Sequence, residues 1–194
     1  MKKFLAALLV ALCGFVSLFA DDVADVKAVI VKSAELQSNG DFAGSFELYA
    51  PDYQEVSLDG TTLNYEQTKW IVLSLDGKHP EEFLLLLTAY DKKGVMPPAE
   101  AIPRIRQAAR RPEFIKRYER VNQQIVSGMK SAAALRLKTL EFIRVKVDGD
   151  RAVAVVEHDR LDRKNNAFQR VIVTISMRKV CGKWMYCKCV CEYK

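Results

Sequence analysis

Apolar positions along the chain change period twice, and each change marks a different kind of element. From Val23 to Gln37 the residues Val23, Val26, Ile30 and Ala34 recur at three- and four-residue spacing, the stripe of one amphipathic helix. "SNGD" stops it: Asn39 and Gly40 suit a left-handed C-terminal cap, and Asp41 suits the N-cap of a second, short helix with Phe42, Phe46 and Tyr49 on one side. Pro51 is expected to end that helix. "YQEVSLDG", with Val56 and Leu58 alternating before a glycine, reads as a short strand, and a third helix from about Asn64 to Leu75 turns Trp70, Ile71 and Leu75 inward.

The following sixty residues show no strand pattern. "HPEEFLLLLTAYDKKG" and the proline-punctuated "MPPAEAIPRIRQAARRPEF" lead into a long helix with Phe114, Tyr118, Val121, Ile125, Met129 and Ala132 on one stripe. This predicts a helical insertion over about 78–137, with prolines 97, 98, 103 and 112 at helix starts or kinks. After Leu140 the period becomes two and stays there. "LEFIRVKV" meets "RAVAVVEHDRL" across Asp148–Gly149, and "FQRVIVTISMRKV" meets "KWMYCKCVCEY" across Cys181–Gly182. The expected cross-strand pairs include Val145 with Ala152 and Val173 with Val190. Helices followed by an antiparallel meander make an α+β fold.

A two-residue turn at Cys181–Gly182 pairs positions that sum to 363. Cys187 then faces Ser176, Cys189 faces Thr174 and Cys191 faces Ile172, which puts all three thiols on one outer face. Trp184, Tyr186 and Val190 would join Val171, Val173, Ile175 and Met177 in the core. Unbridged thiols are the reading this favours. Strand residues i and i+2 lie near the upper limit for a disulfide, and a metal would need a fourth ligand that neither His79 nor His158 supplies from neighbouring sequence. An intermolecular or insert-covered disulfide and a metal site are the competing readings.

Composition adds the compartment. The chain opens "MKKFLAALLVALCGFVSLFADD", two lysines, about 17 uncharged residues and then two aspartates, which is the layout of a secretory signal cut after Ala20. An uncleaved anchor competes, at the lower length limit for a span. A lipid-modified Cys13 is weakened by Leu12 before it. The expectation is a periplasmic or secreted bacterial protein with 21–194 as a single domain. Thirty Lys+Arg oppose 24 Asp+Glu; without Lys2 and Lys3 the balance is 28 against 24, a net charge of +4. That excess and export both argue against a nucleic-acid partner. "RIRQAARRPEFIKRYER" is the most basic stretch, a solvated helix face or a contact for an anionic surface.

The order of elements resembles the nuclear transport factor two-like (SnoaL-like, cystatin-like) superfamily. "SNGDFAGSFELYAPDYQEVSLDG" is similar to its helix-turn-helix-strand opening, "VDGDRAVAVV" to its central hairpin and "CGKWMY" to the start of its last strand. The resemblance covers about 23–75 and 140–194 and excludes the helical insertion. It implies a curved sheet wrapped around helices as a cone, often with a pocket. Some members are isomerases, dehydratases or cyclases; many others bind ligands or dimerise, which leaves a homodimer open here. No catalytic motif is common to the family, so no catalytic residue, cofactor or metal carries over.

The candidate ligand-binding residues are Tyr49, Tyr53 and Trp70, aromatics that could line a cone, and His158, near the end of the second long strand. Asp159 cannot orient His158 directly, because adjacent strand residues point to opposite faces. The leading expectation is an exported, non-catalytic module for a small apolar ligand or a protein partner. An isomerase- or dehydratase-like enzyme acting in the cone and an envelope-associated structural protein are the alternatives.

Overall fold

The structure, a computed structural model, describes residues 22–75, 79–91, 97–162 and 167–194. The expected leader, Cys13 and the proposed start of the insertion at 78 lie outside these residues. Helix α1 covers 22–39 and buries Val26, Ile30 and Ala34, as its stripe predicts. Its end is a Schellman motif: Gly40 has φ +86°, its N–H donates to the Gln37 carbonyl, and the Asp41 N–H donates to the Leu36 carbonyl at 2.8 Å. Asp41 then caps α2 (Phe42–Phe46) through a 2.8 Å bond from the Gly44 N–H.

Here the chain departs from the expected pattern. Helix α2 stops at Phe46, and Tyr49 and Pro51 both belong to strand β1 (Tyr49–Val56). Proline is tolerated because β1 bows away from its neighbour between Tyr49 and Gln54, where the pairing register shifts, so no ladder bond is asked of its nitrogen. The bow is held from outside by Asp52, whose two carboxylate oxygens accept bonds of 2.8 and 2.9 Å from Arg178. Leu58 lies beyond the strand, in the turn before a three-residue strand β2 (Thr62–Asn64) that the alternation does not announce. A reciprocal capping box starts α3 (Tyr65–Leu75): the Gln67 N–H donates to Asn64 Oδ1 and the Asn64 N–H to Gln67 Oε1, both at 2.9 Å.

Helices α4 (Pro80–Asp91), α5 (Ile102–Ala109) and α6 (Pro112–Thr139) fill the region predicted to be all-helical. Phe83, Leu85, Ala109 and Tyr118 bury among them, and the Tyr118 hydroxyl donates to the Ser74 carbonyl at 3.1 Å, tying α6 to α3. The 28 residues of α6 extend about 42 Å at 1.5 Å per residue, long enough to serve two cores. Its first half packs on α3–α5, and its last turns lie over the sheet, where Ala133 is buried and Arg136 donates to Gln37 Oε1 of α1 at 2.6 Å. Of the stripe residues between, Ile125 and Met129 are only partly covered and Ala132 is exposed.

Strands β3 (Glu141–Asp148), β4 (Arg151–Asp162), β5 (Ala167–Val180) and β6 (Lys183–Tyr193) form the antiparallel meander. The sheet order is β2-β1-β6-β5-β4-β3, an open, curved sheet that is antiparallel except where β1 runs parallel to β6. At the first turn Asp148 pairs with Arg151, so the loop is Gly149–Asp150 and Val145 faces Ala154 instead of Ala152. The two-residue shift keeps the side chains from Arg144 to Asp148 on their expected faces, while an extra residue at Ile143 turns Phe142 to the same side as Val145. The second turn is Cys181–Gly182 as expected, both at positive φ (50° and 76°), the geometry of a type I′ hairpin.

Beyond that turn the register changes. Met177 pairs with Tyr186, but the next pair is Ser176 with Lys188, so Cys187 is an extra residue in a β-bulge. Pairs sum to 363 before the bulge and 364 after it. Val173 therefore faces Cys191 and Ile175 faces Cys189, while Val190 pairs with Thr174 on the outer side. The expected pairs of Cys189 with Thr174, Cys191 with Ile172 and Val173 with Val190 are corrected accordingly. Trp184 and Tyr186 keep their core positions, and Cys189 and Cys191 pack against that core.

Candidate functional site

Alternation along β4 and β5 turns Val156, His158 and Arg160 to the concave side, with Val171, Val173 and Ile175 opposite. Helix α1 brings Ile30, Ser33 and Ala34 over them, and the end of α6 brings Arg136 and Leu140. Strand β1 supplies Tyr49, Tyr53 and Glu55, and β6 supplies Tyr186, Cys189 and Cys191. Together they enclose a cavity of about 200 Å³. Sites for drug-sized molecules run roughly 300–1,000 Å³, so this one suits a smaller guest.

Three tyrosines form one wall. Tyr49 lies edge-on to Tyr53 at a centroid distance of 4.3 Å and stacks on Tyr186 at 5.1 Å. Desolvation holds all three phenols above their ordinary range, so each is a neutral donor. The Tyr53 hydroxyl donates to Glu55 Oε2 at 3.2 Å. Burial, with Glu55 nearby, pushes the Cys189 thiol up to about 12 and the Cys191 thiol up to about 11, so neither is an activated nucleophile. All four cysteines of the described residues are unbridged; Cys181 is exposed, and Cys187 lies on the outer face beside Arg178 and Asp52. Among the described residues no three His, Cys, Asp or Glu side chains cluster as metal ligands.

The mouth is cationic. Arg136 bonds only the neutral Gln37 amide, and among the described residues neither Arg136 nor Arg160 forms an ion pair. His158 lines the mouth with them, its pKa lowered first by burial and then by both Arg136 and Arg170, and Nδ1 lies 3.1 Å from the Asp159 carbonyl oxygen. Asp159 points the other way, to an outer network in which Arg170 reaches Asp159 at 3.1 Å, Glu157 at 3.2 Å and Glu141 at 2.6 Å. Lys194 also bonds Glu157, and that bond, the largest cause, holds the carboxyl below its usual range.

Of the four sequence-predicted site residues, Tyr49, Tyr53 and His158 meet in this cavity. Trp70 does not line it: on α3, its indole donates to Glu82 of α4 at 2.7 Å, and Arg106 of α5 holds the same carboxylate at 2.8 Å. Glu55, Arg136 and Arg160 were not singled out from the sequence. Arg160 carried a signal, two positions from His158 in a period-two strand and so on the same face. Arg136 did not, since only the crossing of α6 over the sheet aims it inward.

No family model and no curated protein sequence matches the chain. Among solved structures, an NTF2-like protein with a cystatin-like fold from Novosphingobium aromaticivorans superposes with a TM-score of 0.52 over 94% of this chain and 87% of that one, at 13% identity. The fold is NTF2-like. An NTF-2 like protein of unknown function from Silicibacter pomeroyi (14% identity, TM-score 0.46, 91% of this chain and 98% of that one) and a ketosteroid isomerase-like protein from Erwinia carotovora atroseptica (9%, 0.46, 89% and 95%) are more distant likenesses. At these identities the likeness concerns the NTF2-like fold alone. No helix among the described residues is long and apolar enough to cross a membrane.

Proposed function

We propose that the chain is an exported binding module whose cone holds a small organic anion with an apolar or aromatic body. The observation that carries this is the pair Arg136 and Arg160, neither held in an ion pair among the described residues, at the mouth of a cavity whose walls are mainly aromatic and aliphatic. A carboxylate there gains two charge-assisted donors, and the guest's body lies against Tyr49, Tyr186 and Val173. The reading of export is supported by the lysine-led apolar start and the acidic residues at 21 and 22. Benzoate and benzyl alcohol, titrated by calorimetry, test the site: benzoate should bind, the alcohol at least tenfold more weakly, and Arg136→Gln should remove the difference. Equal binding of the two by the wild type would sink the proposal. An intact mass in the envelope fraction that retains residues 1–20 would sink the export reading.

A second reading, proton transfer in the cone, is favoured by one contact. Glu55 accepts a bond from Tyr53 inside the cavity, so a carboxylate base and a neutral phenol donor sit side by side. Its test is deuterium uptake at the α-carbon of cyclohexanone in D₂O. Catalysed exchange abolished by Glu55→Gln would support an enzyme; exchange at the buffer rate would leave a binding module.

A further inference from the structure

Arg136, His158 and Arg160 line more than the cone. They also border a second chamber of about 210 Å³ between α6 and the far end of β4, with Met129, Ala132, Leu135 and Leu161 in its walls beside Gln37 and Asp159. Five of these, Met129, Ala132, Leu135, Arg160 and Leu161, continue into an open groove that runs on past Phe168 and Tyr193. The two guanidiniums thus stand at a junction, with the cone on one side and a mainly apolar channel on the other.

Two independent features show that this channel lacks a partner among the described residues. Ile125, Met129 and Ala132 belong to the α6 stripe whose periodicity marks it for burial, yet in this stretch the stripe faces the groove. Across from it, Leu161, Phe168 and Tyr193 are 41%, 68% and 57% exposed, a cluster of large side chains on one rim. An apolar channel that begins at two arginines without ion-pair partners complements a molecule with an acidic group at one end and a hydrocarbon chain at the other. The acidic groups nearby have other partners: Asp159 is held by Arg170, Glu55 accepts from Tyr53, and Asp59, which feels the charge of Arg160, accepts from the Thr61 N–H at 2.9 Å.

We propose that this channel is a second subsite of the cone, and that the ligand is an amphiphilic organic acid whose carboxylate sits between Arg136 and Arg160 while its alkyl chain lies under α6 toward Phe168. The inference rests on the reading of the cone as an anion site, and it adds the class of ligand. Contact between the chain and Met129, Leu135 and Leu161 removes apolar surface on both sides from water, so affinity should rise with chain length.

The experiment compares benzoate, which the cone alone can hold, with decanoate below its aggregation concentration, on the chain from Asp21 to Lys194. Decanoate should bind at least tenfold more tightly. Ala132→Trp and Leu161→Asp, both at exposed positions, should return decanoate to the benzoate level and leave benzoate unchanged; thermal unfolding identifies any variant that fails to fold. If decanoate gains nothing over benzoate, or keeps its gain in both folded variants, the outer subsite is overturned and the anion-binding cone stands. If decanoate binds and both variants weaken it while benzoate fails to bind, the outer subsite stands and the cone reading falls. Binding of neither acid overturns both.

Discussion

Cys187 and Cys189 are two residues apart on one strand, yet they lie on opposite faces of the sheet. Cys187 is the bulged residue, half-buried outside near Arg178 and Asp52; Cys189 packs inside, near the Tyr53 hydroxyl. An unbroken strand would put both on one face, because side chains alternate with a period of two. One extra residue separates them and carries Cys191 inward with Cys189. The bulge thus sets the chemistry of the cavity wall, replacing the expected Val190 with two thiols.

The most direct way to break the comparison is to place the same charge on either side of it. Cys189→Asp should destabilise the protein by on the order of 3 kcal/mol, because the carboxylate would face the desolvated wall near Glu55. Val190→Asp, on the outer side, should cost about 1 kcal/mol, mainly in strand preference. Chemical denaturation reads both; an unbroken register would reverse their order. Thiol labelling at pH 8 sharpens the same contrast. Exposed Cys181 should react first and Cys187 more slowly, whereas Cys189 and Cys191, with thiols raised to about 12 and 11, should react only on opening of the fold. Four thiols reacting at one rate would contradict the geometry.

Tyr53→Phe tests the wall beside Cys189. Losing the hydroxyl leaves Glu55 without its donor and should cost about 1 kcal/mol, with the ring contacts to Tyr49 kept. A larger loss, measured by urea unfolding, would mean that the phenol also supports the Cys189 side of the cavity. The smallest effect belongs to His158 at the mouth. Its folded pKa lies below the ordinary 6.5, so its contribution is present above that value and is lost as pH falls below it, when the unfolded chain binds the proton first. His158→Gln should flatten the loss of stability as pH falls below 6.5. An unchanged slope would assign the acid sensitivity to other groups.

Local signals were legible wherever neighbouring residues decide them. The caps at Gly40 and Asp41 and the turn at Cys181–Gly182 need only a few adjacent residues and were read from them; the capping box at Asn64 and Gln67 is equally local but was not read. Tyr49 and Tyr53 were found as candidates because aromatics near an expected cone are few. Tyr53 was placed in a strand, but Tyr49 was misread as a helix end because Pro51 breaks either pattern, and a bow pinned by Arg178, 126 residues away, cannot be seen locally. Trp70 was chosen on residue type alone, and its partner Glu82 lies on another helix.

The sequence by itself determined the α+β class, the order of helices and hairpins, and which faces of α1 and β5 are buried, because hydrophobic periods of 3.6 and 2 fix them segment by segment. Tertiary structure decided three things that no short window contains. It ran β1 parallel to β6, it placed the bulge at Cys187 where β6 must pair with both β1 and β5, and it laid the last turns of α6 across the sheet. The first two fill the wall with tyrosines and thiols, and the third brings Arg136 toward Arg160. Those contacts join residues far apart in the chain, so their free energy appears only once the whole sheet has closed around the helices.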